Sequence, residues 1–274
     1  MPSRLKVPAG QEMKQDGGDA AGRPASRPLA DDGDSCRQLA DSSNPASQPA
    51  AGLPALTVAI QAGGESRRMG RSKATVPFGG RPLLCRIVER VDAAADEILI
   101  TTNGRDDLGF LFDMPQASKI RVVRDLIDVR GSMTGLYTAL ASAANDFVAV
   151  CACDMMDVSA SLFVAELACA QEGGYDVVVP EDGMGFEPFH AVYRRRPCLE
   201  SALRNMQEAQ ASPSSRKGGA SMKSVVLDPA LHLRSFTMAE VHEHATPGCF
   251  ANCNTPEELA RAEERIFGKA VPFR

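Results

Sequence analysis

The sequence predicts an α/β fold: a three-layer domain whose mostly parallel sheet is covered by helices on both faces. Three observations predict it. From residue 53 onward, short apolar runs alternate with helix-length segments in the order β-α-β-β-α-β-α-β, the order expected of parallel strands joined by crossover helices. The run Phe147-Val148-Ala149-Val150-Cys151-Ala152 is apolar throughout, as suits a strand buried on both faces. Finally, the strand-like runs ending at Ile60, Arg124 and Ala152 each lead into polar or glycine-rich sequence, and ligands of such sheets bind outside the carboxyl ends of the strands.

Each element has its own signal. Leu56-Thr57-Val58-Ala59-Ile60 is a short β-branched run. Residues 82–91 carry apolar side chains at helical spacing, with Pro82 in a first-turn position. Residues 97–102 form the next strand, closed by Asn103-Gly104, and residues 120–124 another, closed by Asp125. Residues 132–144, rich in Ala and Leu, predict a helix, with Ser132 a good N-cap. After the strand at 147–152, residues 162–170 predict a helix, 175–180 a strand and 187–195 a further strand, and Pro197 opens a helix to about Ala209. Residues 211–223, rich in Ser, Gly and Lys, predict a loop. Thr255-Pro256-Glu257-Glu258 reads as a capping box opening a helix through Leu259, Ala262 and Ile266.

Residues 1–52 differ in kind. They are rich in Ala, Pro, Ser, Gly and Asp with almost no large apolar side chains, so they cannot bury enough surface to offset the entropy of ordering. The expectation is a disordered N-terminal extension over 1–52 and one folded domain over 53–274. The chain carries 30 Lys and Arg against 35 Asp and Glu, a formal net charge of −5. That balance gives no support for nucleic acid as the main partner. No apolar run approaches the ~20 residues that span a bilayer, and no signal-peptide core is seen, so no membrane partner and a cytoplasmic location are expected. The eight cysteines include no Cys-x-x-Cys pair, which gives a zinc site poor support. Cys151 and Cys153 alternate onto one face and read as buried thiols; His242 and His244 read as surface residues.

The chemistry gathers in Gln61-Ala62-Gly63-Gly64-Glu65-Ser66-Arg67-Arg68-Met69-Gly70-Arg71-Ser72-Lys73, directly after the first strand. Glycines let a backbone approach a bound oxyanion with its N–H groups pointing inward, and Arg and Lys supply the charge that amides lack. A triphosphate is the natural guest. The spacing is not that of a Walker loop, since five residues separate Gly64 from Gly70 and Arg71 follows. It is not the dinucleotide fingerprint either, for no Gly-x-Gly-x-x-Gly occurs in it.

The pattern Ala-Gly-Gly-x-Ser-x-Arg-Met-Gly-x-x-Lys resembles the loop of nucleotidyltransferases that release pyrophosphate, and in this version the MobA-like molybdenum cofactor guanylyltransferases. Cys153-Asp154-Met155, Glu187-Pro188-Phe189-His190-Ala191-Val192-Tyr193 and Asn252-Cys253-Asn254-Thr255-Pro256-Glu257-Glu258-Leu259 resemble further segments of that family. The resemblance covers about residues 56–266. It implies a Rossmann-like nucleotidyltransferase fold and the transfer of GMP from GTP to molybdopterin, with Mg2+, or Mn2+ in its place, as cofactor. It also implies transient contact with molybdopterin-inserting and cofactor-delivery proteins.

Residue by residue, the resemblance implies that Gly63 and Gly64 offer amides to the triphosphate, that Ala62 leaves room for the base, and that Lys73 and Arg68 hold the β- and γ-phosphates. Asp154 would hold the metal, Asp125 and the more weakly matched Asn103 the nucleoside, and Asn252 and Asn254 would lie near the metal and the pterin. Gln61 stands where the family commonly has Leu, and its amide either touches the base or faces a polar rim. Met156 stands where the family has Pro, and Ser132 replaces the Pro of a Gly-Pro-Leu-x-Gly turn. Two alternatives remain at this level. One is the same chemistry with another substrate, such as a molybdopterin cytidylyltransferase; the other is a nucleotide-binding or cofactor-delivery protein without turnover. The conjunction of Lys73, Arg68 and Asp154 favours catalysis.

Overall fold

The computed structural model describes residues 52–63, 72–127, 131–211 and 220–268. The expected extension, all but Gly52, lies outside them, as do Gly64, Arg68 and the centre of the Ser/Gly/Lys-rich stretch. Among the described residues no helix is long and apolar enough to cross a membrane.

The chain runs through β1 (Leu56–Gln61), a small hairpin β2 (Pro77–Phe78) and β3 (Arg81–Pro82), α1 (Leu83–Val91), β4 (Glu97–Thr102), β5 (Ile120–Arg124), α2 (Ser132–Ser142) and β6 (Phe147–Ala152). It continues through α3 (Ala160–Gly173), β7 (Val177–Asp182), β8 (Gly185–Phe186), β9 (Ala191–Arg194), α4 (Arg195–Ala211), α5 (Met222–Val226), β10 (Leu233–Thr237), α6 (Met238–His244) and α7 (Pro256–Phe267). The main sheet has the order β10-β7-β9-β6-β1-β4-β5, with β8 paired to β7. Its centre is parallel, β1 lying between β4 and β6 and β5 beyond β4. β9 is antiparallel to both β6 and β7.

Strand alternation divides the core. Leu56, Val58 and Ile60 face the layer that includes α1 and α3, while Ala59 faces α2, α4 and α5. β6 does the same: Phe147, Ala149 and Cys151 point one way, Val148 and Val150 the other. The expected three-layer α/β arrangement is therefore built by period-two side chains that are apolar on both faces. Cys151 and Cys153 share a face, as expected. Burial pushes the Cys153 thiol up to about 12, so it stays protonated and is a poor nucleophile beside Asp154. A third cluster joins α7 to the β2–β3 hairpin through Val76, Phe78, Leu259 and Ala262, with Met156 among them.

Several element readings are corrected. The strand expected at 187–195 is confined to Ala191–Arg194, because Glu187 to His190 form a turn closed by the His190 N–H donating to the Glu187 carbonyl at 3.1 Å. The following helix starts at Arg195, with Pro197 inside its first turn, where a missing N–H forfeits no intrahelical bond. The helix expected from 162 begins at Ala160, capped by Ser159. Ser132 is the first residue of α2 rather than its cap; Gly131 caps it at φ 136°, a conformation that favours glycine. The end of the stretch expected to be loop is helical as α5, and β10 and α6 went unread. The capping box of Thr255 and Glu258 is present as expected.

Glu166 of α3 and His190 are both fully buried, with Oε1 and Nδ1 3.6 Å apart. The Ser159 N–H donates to His190 Nε2 at 3.3 Å, so that nitrogen carries no proton. Burial holds the Glu166 carboxyl well above its ordinary 4.5, and burial lowers His190 from 6.5 to about 3. The stability contributed by Glu166 is complete below the unfolded value and is lost as pH rises towards the folded one; that of His190 is lost as pH falls from 6.5 towards 3. Glu166→Gln is therefore expected to stabilise the protein at pH 8, where the buried carboxyl is held above its ordinary range, and to change little at pH 4. Urea unfolding at the two pH values checks this; an equal difference at both would refute it.

Candidate functional site

The parallel register sets the site. Gln61 pairs with Thr101 and with Ala152, and Thr102 with Arg124, so the residues following β1, β4, β5 and β6 emerge level at one edge of the sheet. Ala62 continues the ladder, its N–H donating to the Thr101 carbonyl at 2.8 Å, while the Gln61 carbonyl accepts from Cys153 N–H at 3.1 Å. Gly63 then passes so close to its neighbours that a Cβ would sit 2.9 Å from Asp125 Oδ2 and 3.3 Å from the Asn103 nitrogen. A Cβ there would press on the Asp125 carboxylate and crowd the Asn103 backbone, so glycine suits the position.

Asn103 and Asp125 fix that close approach. Asn103 Nδ2 donates to the Gly63 carbonyl at 3.0 Å, and its Oδ1 accepts from Arg105 N–H at 3.1 Å. Asp125 N–H donates to the Thr102 carbonyl at 2.8 Å. Its Oδ1 is buried and has no hydrogen-bond partner among the described residues, and burial pushes the carboxyl above the usual carboxylate range. An acceptor in that state is costly, and donors on a bound ligand would relieve it.

On the other side of β1, Lys73 Nζ donates to Asp154 Oδ2 and, at 2.7 Å, to Asn254 Oδ1. Three segments far apart in sequence thus meet through one ammonium. Asp154 leaves β6 in a turn closed by Met155 N–H on the Ala152 carbonyl at 3.2 Å, and its own carbonyl accepts from Cys253 N–H at 3.1 Å. Asn252 bridges to Met155 in antiparallel fashion and is exposed. The Asn254 and Thr255 N–H groups donate to Glu258 Oε2 at 2.6 and 3.2 Å, so the capping box of α7 also orients Asn254. The Asp154 and Lys73 side chains are only 10% and 19% exposed, which shields their attraction from solvent screening.

The structure thus brings Ala62, Gly63, Lys73, Asn103, Asp125, Asp154, Asn252 and Asn254 to one edge of the sheet. A cation, amides and two carboxylates at strand ends can bind a polyphosphate and hold a divalent ion against it.

Residues 58–220 match the MobA-like NTP transferase domain. The chain belongs to that family. It is 33% identical over 219 residues to a molybdenum cofactor guanylyltransferase of Desulfosudis oleivorans, covering 78% of this chain and 97% of the relative. It is 30% identical over 213 residues to a probable molybdenum cofactor guanylyltransferase of Natronomonas pharaonis, covering 77% and 98%. Among solved structures, molybdopterin-guanine dinucleotide biosynthesis protein A from Archaeoglobus fulgidus superposes with a TM-score of 0.60 at 21% identity, over 77% of this chain and 99% of that one. A CMP:2-keto-3-deoxy-manno-octonic acid synthetase complexed with CTP gives 0.56 at 15% identity, over 78% and 99%. The likeness to these two structures is one of fold, the Rossmann-like arrangement of the nucleotidyltransferases.

Two departures of this MobA-like domain from its family's pattern have structural explanations. Gln61 turns its amide onto the first turn of α2, where, with the amide oxygen assigned to face Leu136 N–H, it accepts from that group at 3.1 Å and donates to the Ser132 carbonyl at 3.2 Å. Gly135 leaves the space for it, since a Cβ there would overlap the amide. The polar side chain is thus satisfied within the fold. Met156, in place of proline, packs against α7, and the turn after Asp154 is held by arginines instead. Arg86 Nε donates to the Met156 carbonyl at 3.2 Å, Arg90 Nε to the Val158 carbonyl at 3.1 Å, and Arg86 and Arg265 both pair with Asp157. These supports come from α1 and α7, and no local motif announces them.

Proposed function

We propose that this nucleotidyltransferase transfers GMP from GTP to molybdopterin, forming the guanine dinucleotide and pyrophosphate. The observation that carries this reading is the convergence of Gly63, Asp125, Lys73, Asp154 and Asn254 on one sheet edge, together with curated relatives named as guanylyltransferases over nearly their whole length.

In the proposed reaction the terminal phosphate oxygen of molybdopterin attacks the α-phosphorus of GTP. A new P–O bond forms, the α–β bond breaks, and pyrophosphate leaves with the electron pair. Like charges must be brought together, so positioning and cations matter more than a strong base. Gly63, with Gly64, offers amides to the triphosphate; Lys73, with Arg68, holds the β- and γ-phosphates and stabilises the departing charge. Ala62 leaves room for the base, with Gln61 behind it. Asp125 and Asn103 take the nucleoside, and the Oδ1 of Asp125, without a hydrogen bond among the described residues, supports that role.

Asp154 is the residue that would hold Mg2+, or Mn2+ in its place, with Asn252 and Asn254 beside it. A single hard carboxylate among amide oxygens fits this ion, which takes one or two carboxylates and completes its shell with phosphate oxygens and water. When bound, the ion would neutralise charge on the phosphates. The reading also carries a cytoplasmic location and transient contact with molybdopterin-inserting and cofactor-delivery proteins.

Pyrophosphate release with molybdopterin and Mg2+, compared for GTP, CTP and ATP, tests it. Turnover with GTP alone supports the guanylyl assignment. Turnover with CTP would keep the mechanism and overturn the product; tight nucleotide binding with no turnover would overturn the acceptor.

A further inference from the structure

β9 lies antiparallel to β6 with Ala191 opposite Val150. Because the two strands run in opposite directions, the turn before β9, which holds Glu187, opens at the same end of the sheet as the turn after β6, which holds Asp154. The sheet order puts β4 and β5, with Asn103 and Asp125, on one side of Asp154, and β9 and β7, with Glu187, on the other. Glu187 therefore stands across the reacting centre from the nucleoside residues.

Its backbone is fixed: Glu187 N–H donates to the Pro180 carbonyl at 2.9 Å, and its carbonyl accepts from His190 N–H at 3.1 Å. One carboxylate oxygen, Oε1, accepts from Phe189 N–H at 3.1 Å, while Oε2 makes no hydrogen bond among the described residues. The side chain is half-buried, and burial raises its carboxyl, with Asp154 adding to the rise and Lys223 opposing it. Lys223 Nζ lies 3.9 Å from where a Cβ on Gly185 would be, against the β7–β8 hairpin. A half-buried acceptor within electrostatic reach of another carboxylate is a standing cost, and a ligand rich in N–H donors would relieve it.

We propose that Glu187 recognises the acceptor, its carboxylate accepting hydrogen bonds from the adjacent ring N–H and 2-amino donors of the pterin, with Lys223 beside it facing the acceptor's anionic part. A carboxylate suits this edge because its two oxygens can accept from two parallel N–H donors at once. The proposal rests on molybdopterin being the acceptor. Guanine presents a similar donor edge, but the sheet order places Glu187 away from the nucleoside side.

The test is pyrophosphate release by the full chain and by Glu187→Gln, varying molybdopterin at saturating GTP and then the reverse, with GTP binding measured by calorimetry. Gln keeps an oxygen for Phe189 N–H but presents a donor to a donor. The expected result is a KM for molybdopterin raised about tenfold or more, with the KM and Kd for GTP within about twofold. Lys223→Ala, an exposed position, is expected to raise the same KM less. An unchanged acceptor KM in Glu187→Gln, or equal rises for both substrates, would overturn the proposal while leaving the function standing. A wild-type protein inert towards molybdopterin would overturn both.

Discussion

Asp154→Asn is expected to give a folded protein that still binds GTP but releases pyrophosphate roughly a thousandfold more slowly, or not at all. The fold should survive because the local structure does not use the carboxylate. The turn is closed by Met155 N–H on the Ala152 carbonyl, and the strand-like link to the last helix runs through the Asp154 carbonyl and Cys253 N–H. Arg86, Arg90 and Arg265 hold the following residues from outside. What the substitution removes is the negative charge facing Lys73 and the hard oxygen donor suited to Mg2+. Pyrophosphate release, thermal unfolding and GTP calorimetry on the same preparation check the three parts. A rate within about twofold of wild type would remove Asp154 from the mechanism; loss of folding would show that its pairing is structural.

How much of this was legible in the sequence depends on the range over which each feature is specified. The strands at 56–61, 97–102, 120–124 and 147–152 declare themselves through short runs rich in β-branched and apolar residues, and the sheet edge they share follows from their being parallel. The glycine loop is legible for the same reason, since Gly63 lies one residue past the ladder. Pairing is another matter. β6 and β7 follow one another in sequence, yet β9 inserts between them in reverse, and nothing in the four residues of β9 specifies which neighbours it takes. The short elements α5, α6 and β10 lack the length for a clear period. Lys73, Asp154 and Asn254 were each singled out by family resemblance, but their meeting at one ammonium spans separations of 81 and 181 residues. Only the fold shows that contact. The Glu166–His190 pair was hidden for a further reason: its significance is that both Glu166 oxygens and His190 Nδ1 are buried without a hydrogen bond among the described residues, which a sequence does not display.

The ammonium at that junction carries the second large prediction. Lys73→Ala is expected to raise the KM for GTP about tenfold or more and to lower kcat by roughly a hundredfold. The two effects have separate origins. A lysine that only bound the triphosphate equally in ground and transition states would change KM alone. A lysine that also meets charge developing on the departing pyrophosphate changes kcat as well. In the structure Lys73 is held against Asp154 and Asn254 with most of its side chain out of solvent, and in the proposed reaction that charge would develop beside it. Its removal also leaves Asp154 mostly buried without this partner, which should lower thermal stability. Steady-state kinetics with GTP varied, alongside thermal unfolding with and without GTP, separates these contributions. A fall in stability with KM and kcat both unchanged would make Lys73 a structural latch between β6 and α7. A rise in KM with kcat intact would confine it to ground-state binding, and stabilisation of the departing charge would then pass to Arg68.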